Sequence, residues 1–290
     1  MVESNKENQI LRLKDGRKLG YAEGGNLNGK PIFHFHGTPG SRLEIKLLSE
    51  KSREHGIHMI VVDRPGFGLS DFQPKRTLLD WPEDIIELVD HLGLKKFAVM
   101  GISGGGPYAT VCAYKIPERL TCCGIIAGIG PINLPKKGMM LWNRIIFFVG
   151  RRFPFLLKRF MKAEMKFFED KNSVEKLAEM LPESDRKFFD DPKLLEIFIE
   201  ESKEAYRSGL DGAIHDNRLF SKPWGFNLDE ISPDLQVYLW HGELDVNVPI
   251  SMGKKMCELI PNCKGKFLPN ESHMSVAFNH IDEILETLKS

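Results

Sequence analysis

The 290 residues carry 40 Lys+Arg against 40 Asp+Glu, a formal net charge of zero. A balanced chain lacks the basic footprint of a nucleic-acid binder, so no nucleic-acid partner is expected. Hydrophobic residues at 42% and charged residues at 28% exclude disordered, collagenous and disulfide-stapled classes.

In chain order, Gln9 to Leu13 and Lys18 to Glu23 read as a hairpin about the turn Asp15-Gly16. Short apolar runs follow at Pro31 to His36, His58 to Val62, Phe97 to Ile102, Thr121 to Ala127, Leu235 to Trp240 and Gly265 to Leu268. Helix-length segments separate them at 41–54, 78–92, 104–116 and 250–260, and a last one covers 274–289. Strands alternating with helices predict an α/β protein with a mostly parallel, doubly wound sheet. In such sheets ligands bind beyond the carboxyl ends of the strands.

Residues 132–225 break the alternation. They hold helical patterns at Met139 to Phe153, Pro154 to Asp170 and Pro192 to Ser208, and no convincing strand. The expected division is a core of 1–131 and 226–290 with a helical cap, or lid, of 132–225. Between Lys136 and Lys166 stand nine basic residues and one acid among many large apolar groups, a mixture suited to an anionic lipid surface. Residues 169–204 carry twelve acids against six bases and could neutralise it. The favoured expectation is therefore a lid whose apolar side, with Trp142 and Phe148, lines the pocket, and membrane association is the lesser alternative.

The start, Met1 to Gln9, lacks the apolar core of a signal peptide, and no run of ~18 apolar residues follows. A cytoplasmic protein is expected. The five cysteines, Cys112, Cys122, Cys123, Cys257 and Cys263, are odd in number and mostly lie in apolar runs, so free structural thiols are expected. Cysteine and histidine spacings match no zinc motif. His34 and His36 alternate on one strand without a third ligand, so neither metal nor cofactor is expected.

The strongest chemical signal is Gly101-Ile102-Ser103-Gly104-Gly105, between a predicted strand and a predicted helix. A serine on a sharp strand-to-helix turn needs small neighbours two positions either side. A serine hydroxyl also needs a base, and the base an orienting acid. Asp245 follows the run ending at Trp240, and His273 follows the run ending at Leu268. The order Ser103, Asp245, His273 suits nucleophile, acid and base. Thr38, in the turn after Phe35, and Gly104 can offer backbone amides to an oxyanion. Glu243 is an understudy for the acid, Asp63 to Asp71 reads as a structural loop, and Met100 and Tyr108 read as core.

The segments His36-Gly37-Thr38-Pro39-Gly40-Ser41, Asp63 to Asp71, Gly101 to Gly105, His241 to Pro249 and Ser272-His273 resemble the successive motifs of the α/β-hydrolase superfamily. The resemblance implies an α/β-hydrolase fold, with Ser103 as nucleophile, His273 as base, Asp245 as acid, Thr38 and Gly104 as oxyanion donors, and 132–225 as a cap inserted after the sixth strand. Ser272 stands where many members have glycine. Serine at 103 argues against epoxide hydrolases and haloalkane dehalogenases, which place an aspartate there. Proline iminopeptidases share the His-Gly-x-Pro-Gly pattern but typically carry Gly where Thr38 stands and Trp where Gly104 stands. The expected activity is hydrolysis of a carboxylic ester of a small, apolar molecule. Iminopeptidase-type amide cleavage, carbon–carbon bond hydrolysis and a non-catalytic binding role are the alternatives.

Overall fold

A strand covered on both faces sends alternate side chains into two separate cores, and the central runs of this chain do so. The computed structural model describes residues 5–290; Met1 to Ser4 lie outside the described residues, as do the side chains of Arg151, Pro154, Phe155, Glu164, Phe168, Glu169 and Leu177. Its strands are β1 (Lys6–Arg12), β2 (Lys18–Gly25), β3 (Lys30–Phe35), β4 (Ile57–Val62), β5 (Phe97–Ile102), β6 (Leu120–Ile126), β7 (Val237–Gly242) and β8 (Cys263–Leu268). They form one sheet in the order β1-β2-β4-β3-β5-β6-β7-β8. The pairs β1/β2 and β2/β4 are antiparallel and the rest parallel.

The expected hairpin is β1/β2, its turn closed by Gly16 at φ 90°, with the Gly16 amide donating to the Leu13 carbonyl. The flanking helices are α1 (Ile45–Glu54), α2 (Trp81–His91), α3 (Gly106–Lys115) and α10 (Ile250–Leu259), followed by α11 (Ser275–Phe278) and α12 (Ile281–Leu288). Phe33, Val99 and Leu239 face one core with α2, α3 and α10. Their strand neighbours Ile32, Ala98 and Trp240 face the other with α1 and α12. The single helix expected over 274–289 is two, because the chain turns at Asn279-His280 before Ile284, Leu285 and Leu288 pack on the sheet.

Between β6 and β7 the described residues form α4 (Leu141–Arg152), α5 (Pro154–Glu169), α6 (Lys171–Ala178), α7 (Glu183–Asp190), α8 (Pro192–Ala205) and α9 (Asp211–Phe220). The structure departs from the expected apolar lining here. Leu141, Trp142, Phe148, Phe153 and Leu156 are exposed, while Val149, Leu157 and Met161 turn inward onto Phe67 and Ala213.

A second correction concerns the cysteines. Cys112, Cys122 and Cys123 are free and buried, and burial pushes their thiols upward. Cys257 and Cys263, expected to be free, form a disulfide. The turn between α10 and β8 brings their Cα atoms to 5.3 Å, inside the bridging range; a count of cysteines carries no information about that turn.

No helix among the described residues is long and apolar enough to cross a membrane.

Candidate active site

The end of β5 bends abruptly. Ser103 sits at φ 52°, a left-handed conformation that costs a non-glycine residue about 1–3 kcal/mol. A 3₁₀ turn, Ser103–Gly105, then leads into α3. The glycines are required on steric grounds: a Cβ on Gly105 would drive into the Phe35 carbonyl, and one on Gly101 into the Gly105 carbonyl. This packing holds the serine above the carboxyl end of the sheet.

Two later strand ends converge there. His273 Nε2 lies 2.9 Å from Ser103 Oγ, and His273 Nδ1 lies 2.8 Å from Asp245 Oδ2. The other Asp245 oxygen accepts the amides of Asn247 at 2.8 Å and Val248 at 2.9 Å. Cross-bonds join the two loops: the Leu244 amide donates to the Glu271 carbonyl at 2.9 Å, and Ser272 Oγ to the Leu244 carbonyl at 3.3 Å. Serine at 272, the departure from the common glycine, thus contributes a tie between them.

The electrostatics follow from burial and neighbours. Burial alone would raise the Asp245 carboxyl, but His273 and His241 outweigh it and hold Asp245 well below the usual carboxylate range. Burial alone would depress His273; Asp245, with a further contribution from Asp185, raises it above the ordinary histidine value. The imidazole is therefore both aligned and made more basic.

Thr38 and Gly104 are also brought together, since a Cβ on Gly104 would lie 2.5 Å from Thr38 Oγ1. Arg64, fully buried, ties the two loops. Its guanidinium donates to the Gly104 carbonyl at 2.8 Å, the Gly37 carbonyl at 2.9 Å and Thr38 Oγ1 at 2.7 Å. It also makes an ion pair at 2.9 Å with Asp216 of α9, which in turn holds Arg76 and accepts from the Tyr108 hydroxyl at 2.5 Å.

The remaining sequence candidates fall elsewhere. Glu243 turns to Lys254 at 3.4 Å, away from His273. Asp63 bonds Arg42 and the Leu69 amide inside its loop. Met100 and Tyr108 are buried core. His34 pairs with Glu44. His36 donates from Nδ1 to the Gly37 carbonyl at 2.9 Å and accepts the Arg64 amide on Nε2 at 3.2 Å; burial and Arg64 press it well below the ordinary value, toward the neutral form. No group of three or more His, Cys, Asp or Glu among the described residues is placed to hold a metal. Sequence reasoning missed His241, Arg64 as a tie, and Asp185 and Asp216. The first two sit inside quoted motifs, whereas the last two lie in helices whose docking no local pattern reveals.

The profile of the alpha/beta hydrolase fold matches residues 30–279. The chain belongs to the α/β-hydrolase fold family. A proline iminopeptidase of Clostridium botulinum is 37% identical over 122 residues, 40% of this chain and 39% of that protein. Lipase 3 of a Moraxella species is 30% identical over 142 residues, 46% of this chain and 44% of that lipase. The chain thus spans about two fifths of the length of these relatives. Among solved α/β-hydrolase structures, an esterase from Exiguobacterium antarcticum superposes with a TM-score of 0.69 at 18% identity, covering 97% of both chains.

Proposed function

We propose that this α/β-hydrolase is a serine hydrolase acting on a carboxylic ester of a small, apolar molecule, with residues 132–225 as its cap. His273 takes the proton of Ser103 Oγ as that oxygen attacks the acyl carbon, and the amides of Thr38 and Gly104 hold the oxyanion, each contributing about 3 kcal/mol to lowering the barrier. The tetrahedral intermediate collapses, the alcohol departs with the proton from His273, and the acyl group stays on Ser103. His273 then deprotonates a water, which attacks the acyl-enzyme and releases the acid and the serine. Asp245 holds the imidazole in the required tautomer and stabilises its cation.

The observation that carries this reading is the continuous line Ser103 Oγ, His273 Nε2, His273 Nδ1, Asp245 Oδ2, with steps of 2.9 and 2.8 Å and a strained serine at its head. The esterase and lipase likenesses favour an ester. The iminopeptidase likeness supports a second reading, cleavage of an amide after an amino-terminal residue. Turnover of p-nitrophenyl acyl esters beside prolyl and alanyl arylamides decides between them. Ester turnover lost in Ser103→Ala supports the first; turnover confined to the arylamides replaces it with the second.

A further inference from the structure

The segment that is basic and apolar in sequence keeps much of its apolar surface outside the fold. Leu141, Trp142, Phe148, Phe153 and Leu156 are between 37% and 69% exposed. They form a band: Phe148 and Phe153 approach to 6.2 Å across the α4–α5 junction, and Trp142 meets Phe160 of α5 at 5.4 Å. Isolated exposed apolar residues are ordinary, but a contiguous group marks a contact surface.

The charges around the band identify what it fits. Along α4, Leu141, Arg144, Phe148 and Arg152 recur every three or four residues, placing apolar and cationic side chains on one stripe. Arg144, Arg152, Lys158, Arg159 and Lys162 are exposed, and among the described residues none of them forms an ion pair. Among the described residues, the acids of 169–204 that form ion pairs do so with other cations: Glu175 approaches Lys171, Glu183 approaches Lys187, Glu200 binds Lys46, and Glu204 binds Arg42. A surface with unneutralised cations set among aromatic and aliphatic groups repels a second copy of itself. It complements an anionic lipid layer, whose headgroups take the cations and whose acyl boundary takes the rings.

We propose that α4 and α5 dock this band on an anionic lipid surface, lying in the interface without crossing it. The surface is independent of the reaction at Ser103. The test is co-sedimentation of the full chain with phosphatidylcholine vesicles and with phosphatidylcholine vesicles containing phosphatidylglycerol. The chain should pellet with the anionic vesicles and be released by salt. Arg144→Gln and Arg152→Gln should each weaken binding about fivefold. Leu141→Ser with Phe148→Ser should remove it at unchanged charge and unchanged melting temperature. Failure to pellet with anionic vesicles at low salt would overturn the proposal, as would equal pelleting with both vesicle types, indifference to these substitutions, or concentration-dependent self-association that Phe148→Ser abolishes.

Discussion

Asp185 of α7 accepts the backbone amide of Met274 at 2.9 Å, so a helix of the inserted segment grips the chain one residue beyond His273. The same oxygen takes the Ser275 amide at 2.9 Å, and Phe188 packs on Phe278 at 5.5 Å to close the contact.

The first prediction follows from that grip. The charged groups acting on His273 are Asp245 and Asp185, with His241 acting through Asp245; Glu271 turns to Asn279 and His280. In the proposed mechanism the neutral imidazole is the base, so kcat/KM should be lost as pH falls through a midpoint above ~6.5, the ordinary histidine value. Asp185→Asn keeps an acceptor and removes the charge, which shifts the midpoint downward. Asp185→Ala also strands one buried and one partly buried amide and should cost about 1–3 kcal/mol of stability. The pH dependence of ester hydrolysis reads the first effect and thermal unfolding the second. An unchanged midpoint in Asp185→Asn would show the contact to be purely structural.

Asp245→Asn should lower kcat by about 10⁴, because the amide favours the wrong tautomer of His273. Glu243 is engaged with Lys254 and should not rescue it, so Asp245→Asn/Glu243→Gln should match the single variant. Steady-state ester kinetics check both. Near-parental activity of Asp245→Asn would place the acid elsewhere.

Arg64→Met removes the tie between Gly37, Thr38 and Gly104 and breaks a buried ion pair with Asp216. The loss should be about 3–5 kcal/mol in urea unfolding. Under conditions where the variant stays folded, kcat should fall with little change in KM, as the proposed role of the Thr38 and Gly104 amides as oxyanion donors requires. Arg64→Lys should not restore it, since one ammonium cannot reproduce the fork.

Gly105→Ala should abolish the folded elbow. Its Cβ has no space against the Phe35 carbonyl, and backbone cannot yield as a flexible side chain can. Soluble yield and melting temperature measure this; a parental melting temperature would show that β3 and the elbow are less closely packed.

How much of this was legible in the sequence depended on range. Each strand carries its signal locally, because Ile32-Phe33 or Leu239-Trp240 must be apolar on both faces, so the parallel sheet could be read directly. The meeting of Ser103, Asp245 and His273 was legible because all three follow sheet strands, and strand ends converge by topology. Asp185 and Asp216 were not, since their partners Met274 and Arg64 lie far away in sequence and a buried aspartate looks like any acid on an amphipathic helix. The exposed side of α4 was misjudged for a related reason. Helical periodicity marks Val149 as inward only once Phe67 and Ala213 are in place, and nothing local distinguishes Phe148 as outward.

In the proposed reaction Ser103 is the serine that a base activates. Intact-mass analysis and peptide mapping after treatment of the folded protein with a fluorophosphonate test it most directly. A single adduct should form, carried by the peptide containing Ser103, absent in Ser103→Ala and formed far more slowly in His273→Ala. Modification at Ser70 or Ser272, or no adduct on folded protein, would contradict it.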